Sequence, residues 1–381
     1  MYRVPRIGMG LMLALATTLS LAAQQPPASE AVVFRPADIG EGLFYAMPGD
    51  AAVASFTAHA DAIGVIAPQS FALDRHGLLR GSVPSGLMAV AQRNAVPLMP
   101  LVINAGFSRT NAIRLLHNAS ARDRAVGALV DTARSLNLAG WQLDFENLPS
   151  TQRRAFSEFV AEVAGALHRH GKLLSVAVAA RTSEEHGKGF RTFSGVYDYA
   201  ALGASADFLS VMAYPEYTDT PGPLASVPWV EQVLNYVLRE VPPSKVSLGL
   251  PTYQTDWWQR RYRRSVRERV EGKVHRVFHI VYRLVHRSGP VVEGPLEWDP
   301  VAQSSYRIVG TGHHRKVTWV EDERSFAAKL KLVGQYHLRG FSVWRIGLED
   351  PQLWTRLPPA PRRAVATLAP GATPALITAH N

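Results

Sequence analysis

The stretch Gly140-Trp141-Gln142-Leu143-Asp144-Phe145-Glu146-Asn147-Leu148 decides how this chain is read. It has the form of a short buried strand, with Asn137-Leu138-Ala139 before it and Pro149-Ser150 after it. Alternate side chains of a strand share a face, so Trp141, Leu143 and Phe145 point one way and Gln142, Asp144 and Glu146 the other. One face is apolar; the other carries two acids and an amide near the C-terminal end. At about 3.3 Å per residue, Asp144 and Glu146 stand about 6–7 Å apart along the strand. Carboxylates that close repel, and one holds its proton to higher pH than the other. A protonated acid beside an ionised one is the equipment for breaking a glycosidic bond. Taken alone, Asp-x-Glu fits an edge strand with its acids in water better than a catalytic pair, since charges usually lie on solvated faces. The rest of the chain has to decide.

Outward from this stretch, apolar strand-like runs alternate with amphipathic helical ones. The strand-like runs are Gly42–Ala46, Ala62–Ala67, Val96–Ile103, Gly140–Leu148, Leu173–Ala180, Asp207–Tyr214, Val246–Tyr253 and Gly340–Ile346. Between the fourth and fifth, Phe156, Phe159, Val160, Val163 and Leu167 fall on one helical face, with Gly171 to close it. Pro228–Val241 repeats the pattern with Val230, Val233, Leu234, Val237 and Leu238, and a further helix is expected over Ser325–His337. Strands alternating with helices imply a parallel sheet, and eight of them an α/β (β/α)8 barrel with its working groups at the C-terminal strand ends. Asp144 and Glu146 occupy such an end.

One connection is abnormal. Roughly seventy residues separate the seventh strand from its helix, far beyond an ordinary loop. We read an inserted α+β subdomain at about 259–320, containing a strand Val274–Val285 and Trp298-Asp299-Pro300. Much of the net charge of +10 lies here: between Arg260 and Arg287 ten Arg and Lys residues face only Glu268 and Glu271. This run fits a nucleic-acid role, attraction to an anionic envelope polymer, or a solvated insertion. For an exported chain the envelope is the more economical partner, and no nucleic-acid partner is assigned.

Export is read from the N-terminus. Arg3 and Arg6 precede an apolar run from Ile7 to Leu21 and small residues at Ala22 and Ala23, the order of a secretory signal over 1–23. The destination would be the periplasm or the medium. Residues 24–39 read as a linker, 40–355 as the barrel with its insertion, and the Pro- and Ala-rich 356–381 as a poorly ordered tail. The absence of cysteine excludes disulfides and thiolate metal sites. His313-His314 lacks partners at ligand spacing, so no metal site is assigned.

The chain resembles glycoside hydrolase family 18, the chitinase-like barrel, and within it the branch of spore-cortex-lytic and spore-germination glycosidases. The fourth strand is similar to the signature Asp-x-x-Asp-x-Asp-x-Glu in its last two acids, and Met212-Ala213-Tyr214 matches the Met-x-Tyr element. Pro221–Val230, Trp298–Tyr306 and Trp319–Ser325 resemble segments of that branch, and Gly340–Asp350 carries the late tryptophan, Trp344. The resemblance spans roughly 40–355 in matching order. It implies hydrolysis of a β-linked N-acetylglucosamine-containing polymer, peptidoglycan with chitin as the alternative, by a retaining, substrate-assisted mechanism without a cofactor. A sugar-binding protein on the same barrel is the rival reading.

On this resemblance Glu146 is the acid and base, Asp144 holds the acetamido N–H, and Tyr214 steadies the acetamido group. Trp344 is the sugar's floor; Gln142, Met212 and Tyr253 are further substrate contacts, with Asp256 and Trp257 as weaker candidates. The chain departs from the signature at Ala139 and Gln142, which replace its first two acids. Pro215 follows Tyr214 where many members have Asp, and Glu216 next along would face the other way in an extended segment.

Overall fold

The computed structural model describes residues 34–184, 187–270 and 273–361. Eight strands run in parallel: β1 Glu41–Ala46, β2 Val65–Leu73, β3 Leu101–Asn104, β4 Gly140–Asp144, β5 Leu173–Ala179, β6 Phe208–Met212, β7 Val246–Pro251 and β8 Gly340–Trp344. Each pairs with the next, and β8 returns to β1, with Val343 opposite Phe44. The sheet therefore has no free edge inside the ring, and the chain is a (β/α)8 barrel. Several strands differ from their sequence reading at the ends. The third begins at Leu101 rather than Val96 because Pro97 and Pro100 lack the N–H a ladder needs.

Strand alternation builds two cores. Outward side chains meet the helices: Phe156, Phe159, Val160, Val163 and Leu167 of helix Arg153–His168 are fully buried, the stripe their spacing predicts. Helix Val227–Val237 starts where the Ser226 hydroxyl accepts from Trp229 N–H at 3.3 Å, and Pro242 and Pro243 lie soon after it. Inward side chains form a smaller apolar cluster including Leu43, Tyr45, Val65, Met99, Leu101 and Phe208. Above it lies a polar layer rather than more aliphatic residues. Ser210 and Ser342 share a hydrogen bond at 2.9 Å, and Ser342 another with Ser247 at 2.6 Å.

The insertion differs from its sequence reading. It begins at Gln254, directly after β7, and is an antiparallel five-stranded sheet with only the 3-10 turn Gly312–His314, not an α+β unit. Its longest strands, Gln254–Val270 and Lys273–Gly289, pair along their whole length, so the basic run lies on two paired strands. Phe34 and Ile39, read as linker, are buried in the core, and Phe34 N–H donates to Arg356 C=O at 3.3 Å. The signal 1–23, the start of the linker and the tail from 362 lie outside the described residues.

Candidate active site

The site grows from the alternation in β4. Trp141, Leu143 and Phe145 are fully buried outside the ring, where Phe145 stacks between Phe156 and Phe159, each at 5.9 Å. Gln142 and Asp144 point inward. The ladder stops at Asp144, short of the Leu148 that the sequence predicts. Beyond it side chains hold the backbone. Tyr197 Oη donates to Phe145 C=O at 3.0 Å. The buried Asn104, at the end of β3, takes Glu146 N–H on Oδ1 at 2.9 Å and gives Nδ2–H to Glu146 C=O at 3.1 Å. Arg109 Nε donates to Asn147 C=O at 2.8 Å, and Asn147 turns the chain with φ 61°. Glu146 is thus set by a clamp on its own peptide groups. The sequence reading missed Asn104, whose one signal was a polar residue closing the apolar run Leu101-Val102-Ile103.

Asp144 and Glu146 line a cavity of about 540 Å³ at the C-terminal mouth, with Tyr45, Met212, Tyr214, Pro215, Tyr253 and Trp344. Tyr45 and Trp344 pack at 5.5 Å between ring centroids and form an aromatic wall. Gln142 lies beneath, its Nε2 donating to Tyr45 Oη at 2.5 Å and Ser210 Oγ at 2.9 Å. Asp256 and Trp257 are not at the cavity. They belong to the insertion sheet, where Asp256 accepts from Thr318 Oγ1 at 2.6 Å and from Lys316 at 3.2 Å, and the buried Trp257 packs on His286. Glu216 also turns away, accepting Ser226 N–H at 2.7 Å. Among the described residues no group of three or more His, Asp or Glu is placed to hold a metal ion.

Burial, and then the charge and hydrogen bond of Glu146, hold the Asp144 carboxyl well above the usual range. Burial also raises Glu146, and the hydrogen bond with Asp144 offsets part of that rise. Both carboxyls are therefore biased toward the protonated form, Asp144 the more strongly, and no salt bridge joins a cation to either acid among the described residues. Tyr214 is partly exposed as a residue, yet burial lifts its hydroxyl far above the ordinary range, so it remains a donor. Asp144 Oδ1 is buried and has no hydrogen-bond partner, and the same is true of Gln142 Oε1. An unpaired buried acceptor costs stability unless a donor reaches it.

The profile of Glycosyl hydrolases family 18 matches residues 88–349, which include both acids, Tyr214 and Trp344. The chain belongs to this family. It is a glycoside hydrolase. It is 26% identical over 322 residues to the "uncharacterized glycosylase YvbX" of Bacillus subtilis, covering 83% of this chain and 90% of that one. It is 28% identical over 296 residues to the "cortical fragment-lytic enzyme" of the same organism, covering 76% of this chain but only 65% of that protein. Among solved structures the spore cortex-lytic enzyme SleL of Bacillus cereus superposes with TM-score 0.69 at 23% identity, over 83% of this chain and 73% of that one. A chitinase from Chromobacterium violaceum superposes with TM-score 0.68 at 26% identity, over 83% and 97%.

Proposed function

We propose that this family 18 glycosidase is exported and cleaves a β-linked N-acetylglucosamine-containing polymer, peptidoglycan, by a retaining, substrate-assisted mechanism. One observation carries the reading: the buried, unpartnered Asp144 Oδ1 beside a second, partly exposed acid on the same cavity wall. An acetamido N–H supplies the missing donor. With that bond made, Asp144 is favoured as a carboxylate and its proton passes to Glu146, which delivers it to the glycosidic oxygen. The acetamido carbonyl oxygen attacks the anomeric carbon as the leaving group departs, and Asp144 balances the positive charge of the cyclic intermediate. Glu146, now ionised, takes a proton from the water that opens it. Tyr214 donates to the acetamido oxygen and holds it in line, and Trp344 with Tyr45 carries the sugar ring. Gln142 cannot share a proton as an acid would, so the pair relies on Asp144 and Glu146 alone.

Peptidoglycan is preferred over chitin because the relatives are named for lysis of spore cortex. Export rests on the N-terminal sequence. The deciding experiment measures reducing ends released from peptidoglycan and from chitin oligomers by wild type and Glu146→Gln, with mass spectrometry of the products. Loss of about 10²- to 10⁴-fold in the variant is expected. Hydrolysis should also fall as pH rises past the point where the pair loses its proton. Cleavage of chitin alone overturns the substrate, and binding without cleavage by both proteins overturns the enzyme mechanism.

A further inference from the structure

The basic hairpin offers an interaction surface that the catalytic cavity does not use. Strand Lys316–Val320 covers Gln254–Val270 only as far as Trp258. Beyond that point the two long strands pair with each other alone, an arm reaching about 40 Å at about 3.3 Å per residue. The register sorts its side chains by face. Arg261, Arg263, Arg267 and Arg269 share one face, and no acid accompanies them. Across from them the partner strand sets Val274, Phe278, Ile280 and Leu284 on that same face, each between 40% and 59% exposed, while Tyr282 is stacked on His313 at 4.0 Å. Arg263 lies 4.5 Å from the Phe278 ring centre, so cation and apolar row are in contact. The other face carries Arg260, Arg264, Lys273 and Arg283 too, but its apolar residues Val266, Val277, Val281 and Val285 are half-buried, and Glu268 is bonded to His279 at 2.5 Å.

We propose that the Arg261–Leu284 face of this arm docks on a membrane surface carrying anionic phospholipid headgroups. Guanidinium groups bind phosphate oxygens as planar forks, and apolar side chains beside them enter the acyl boundary. Nucleic acid would satisfy the arginines but leave Val274, Ile280 and Leu284 in water, and these cannot stack on bases. A second copy of the chain adding to the free edge of Lys273–Gly289 would set two cationic arms side by side. The arm continues the strand that starts at Gln254, next to the cavity wall residue Tyr253, so docking confines the catalytic mouth to the neighbourhood of the membrane. The proposal does not depend on the substrate or the mechanism.

The test is co-sedimentation of the intact protein with vesicles of phosphatidylglycerol and phosphatidylcholine in equal parts, against vesicles of phosphatidylcholine alone. The N-terminal apolar run is common to every variant, so differences between variants report the arm. With each cation near an anionic surface contributing about 1 kcal/mol, about fivefold, replacing Arg261, Arg263, Arg267 and Arg269 by Gln together should weaken partition on the order of a hundredfold or more. Phe278→Ser, Ile280→Ser and Leu284→Ser together should leave only binding that high salt removes. Both sets lie on exposed positions, so thermal unfolding should match wild type. Equal binding by the arginine variant overturns the proposal. So does undiminished, salt-resistant binding by the serine variant, or displacement from vesicles by duplex DNA.

Discussion

Two regions of the molecule bury carboxylates, and they bury them in opposite ways. At the mouth, Asp144 is 4% exposed, lies against a second acid, and keeps one oxygen without a donor. Under the base of the insertion, Glu321 is 1% exposed and its Oε2 lies 2.8 Å from Lys329 Nζ, itself wholly buried. That ammonium spends its remaining donors on Ser304 Oγ at 3.3 Å and Ser325 C=O at 3.2 Å. The insertion strand Ser304–Val309 and helix Glu323–Gln335 are thereby joined by a closed set of bonds. A buried charge with all partners present is a fastening. A buried acid with a like-charged neighbour and an open valence is poised for a ligand.

The contrast can be broken by experiment, most strongly at the fastening. Lys329→Met strands Glu321 in the core and should cost about 3–5 kcal/mol in denaturant unfolding, whereas Lys329→Met with Glu321→Leu should recover most of it. A near-neutral single variant would mean that the pair is solvated and the comparison is wrong. At the mouth the expected effect is smaller and falls on turnover instead. Asn104→Ala releases both peptide groups of Glu146, and kcat should drop about ten- to hundredfold with KM much less changed. A matching fall in stability with kcat preserved would make Asn104 a structural residue only.

The smallest effect separates the two regions by pH. Burial pushes Glu321 up to about 7 from an ordinary 4.5, even with Lys329 beside it. Across that window the folded protein holds a proton that the unfolded chain releases, so stability declines as pH rises from about 4.5 to about 7 and levels off above. Asp144 and Glu146, also raised, act in the same direction. Glu321→Gln should flatten part of the slope seen in unfolding midpoints while leaving the pH dependence of hydrolysis in place. A shifted activity profile in that variant would show the two regions to be coupled.

The sequence by itself determined the barrel and the facing of its acids. A period of two in Trp141–Glu146 separates an apolar face from a polar one whatever the neighbours are, and repeated strand–helix alternation leaves few ways to bury both faces of each strand. It also determined that the basic run is one feature, because charge density is a property of the chain. Only the tertiary structure decided what holds Glu146, since Asn104 and Tyr197 reach its segment from 42 and 52 residues away. It moved Asp256 and Trp257 from the cavity into the insertion sheet, where Thr318 and Lys316 claim the carboxylate. It also turned the basic run into an arm with two unlike faces, which only the register of two paired strands could set. Local pattern reports which side chains leave water; which partners they then meet depends on contacts that the chain must close over long loops.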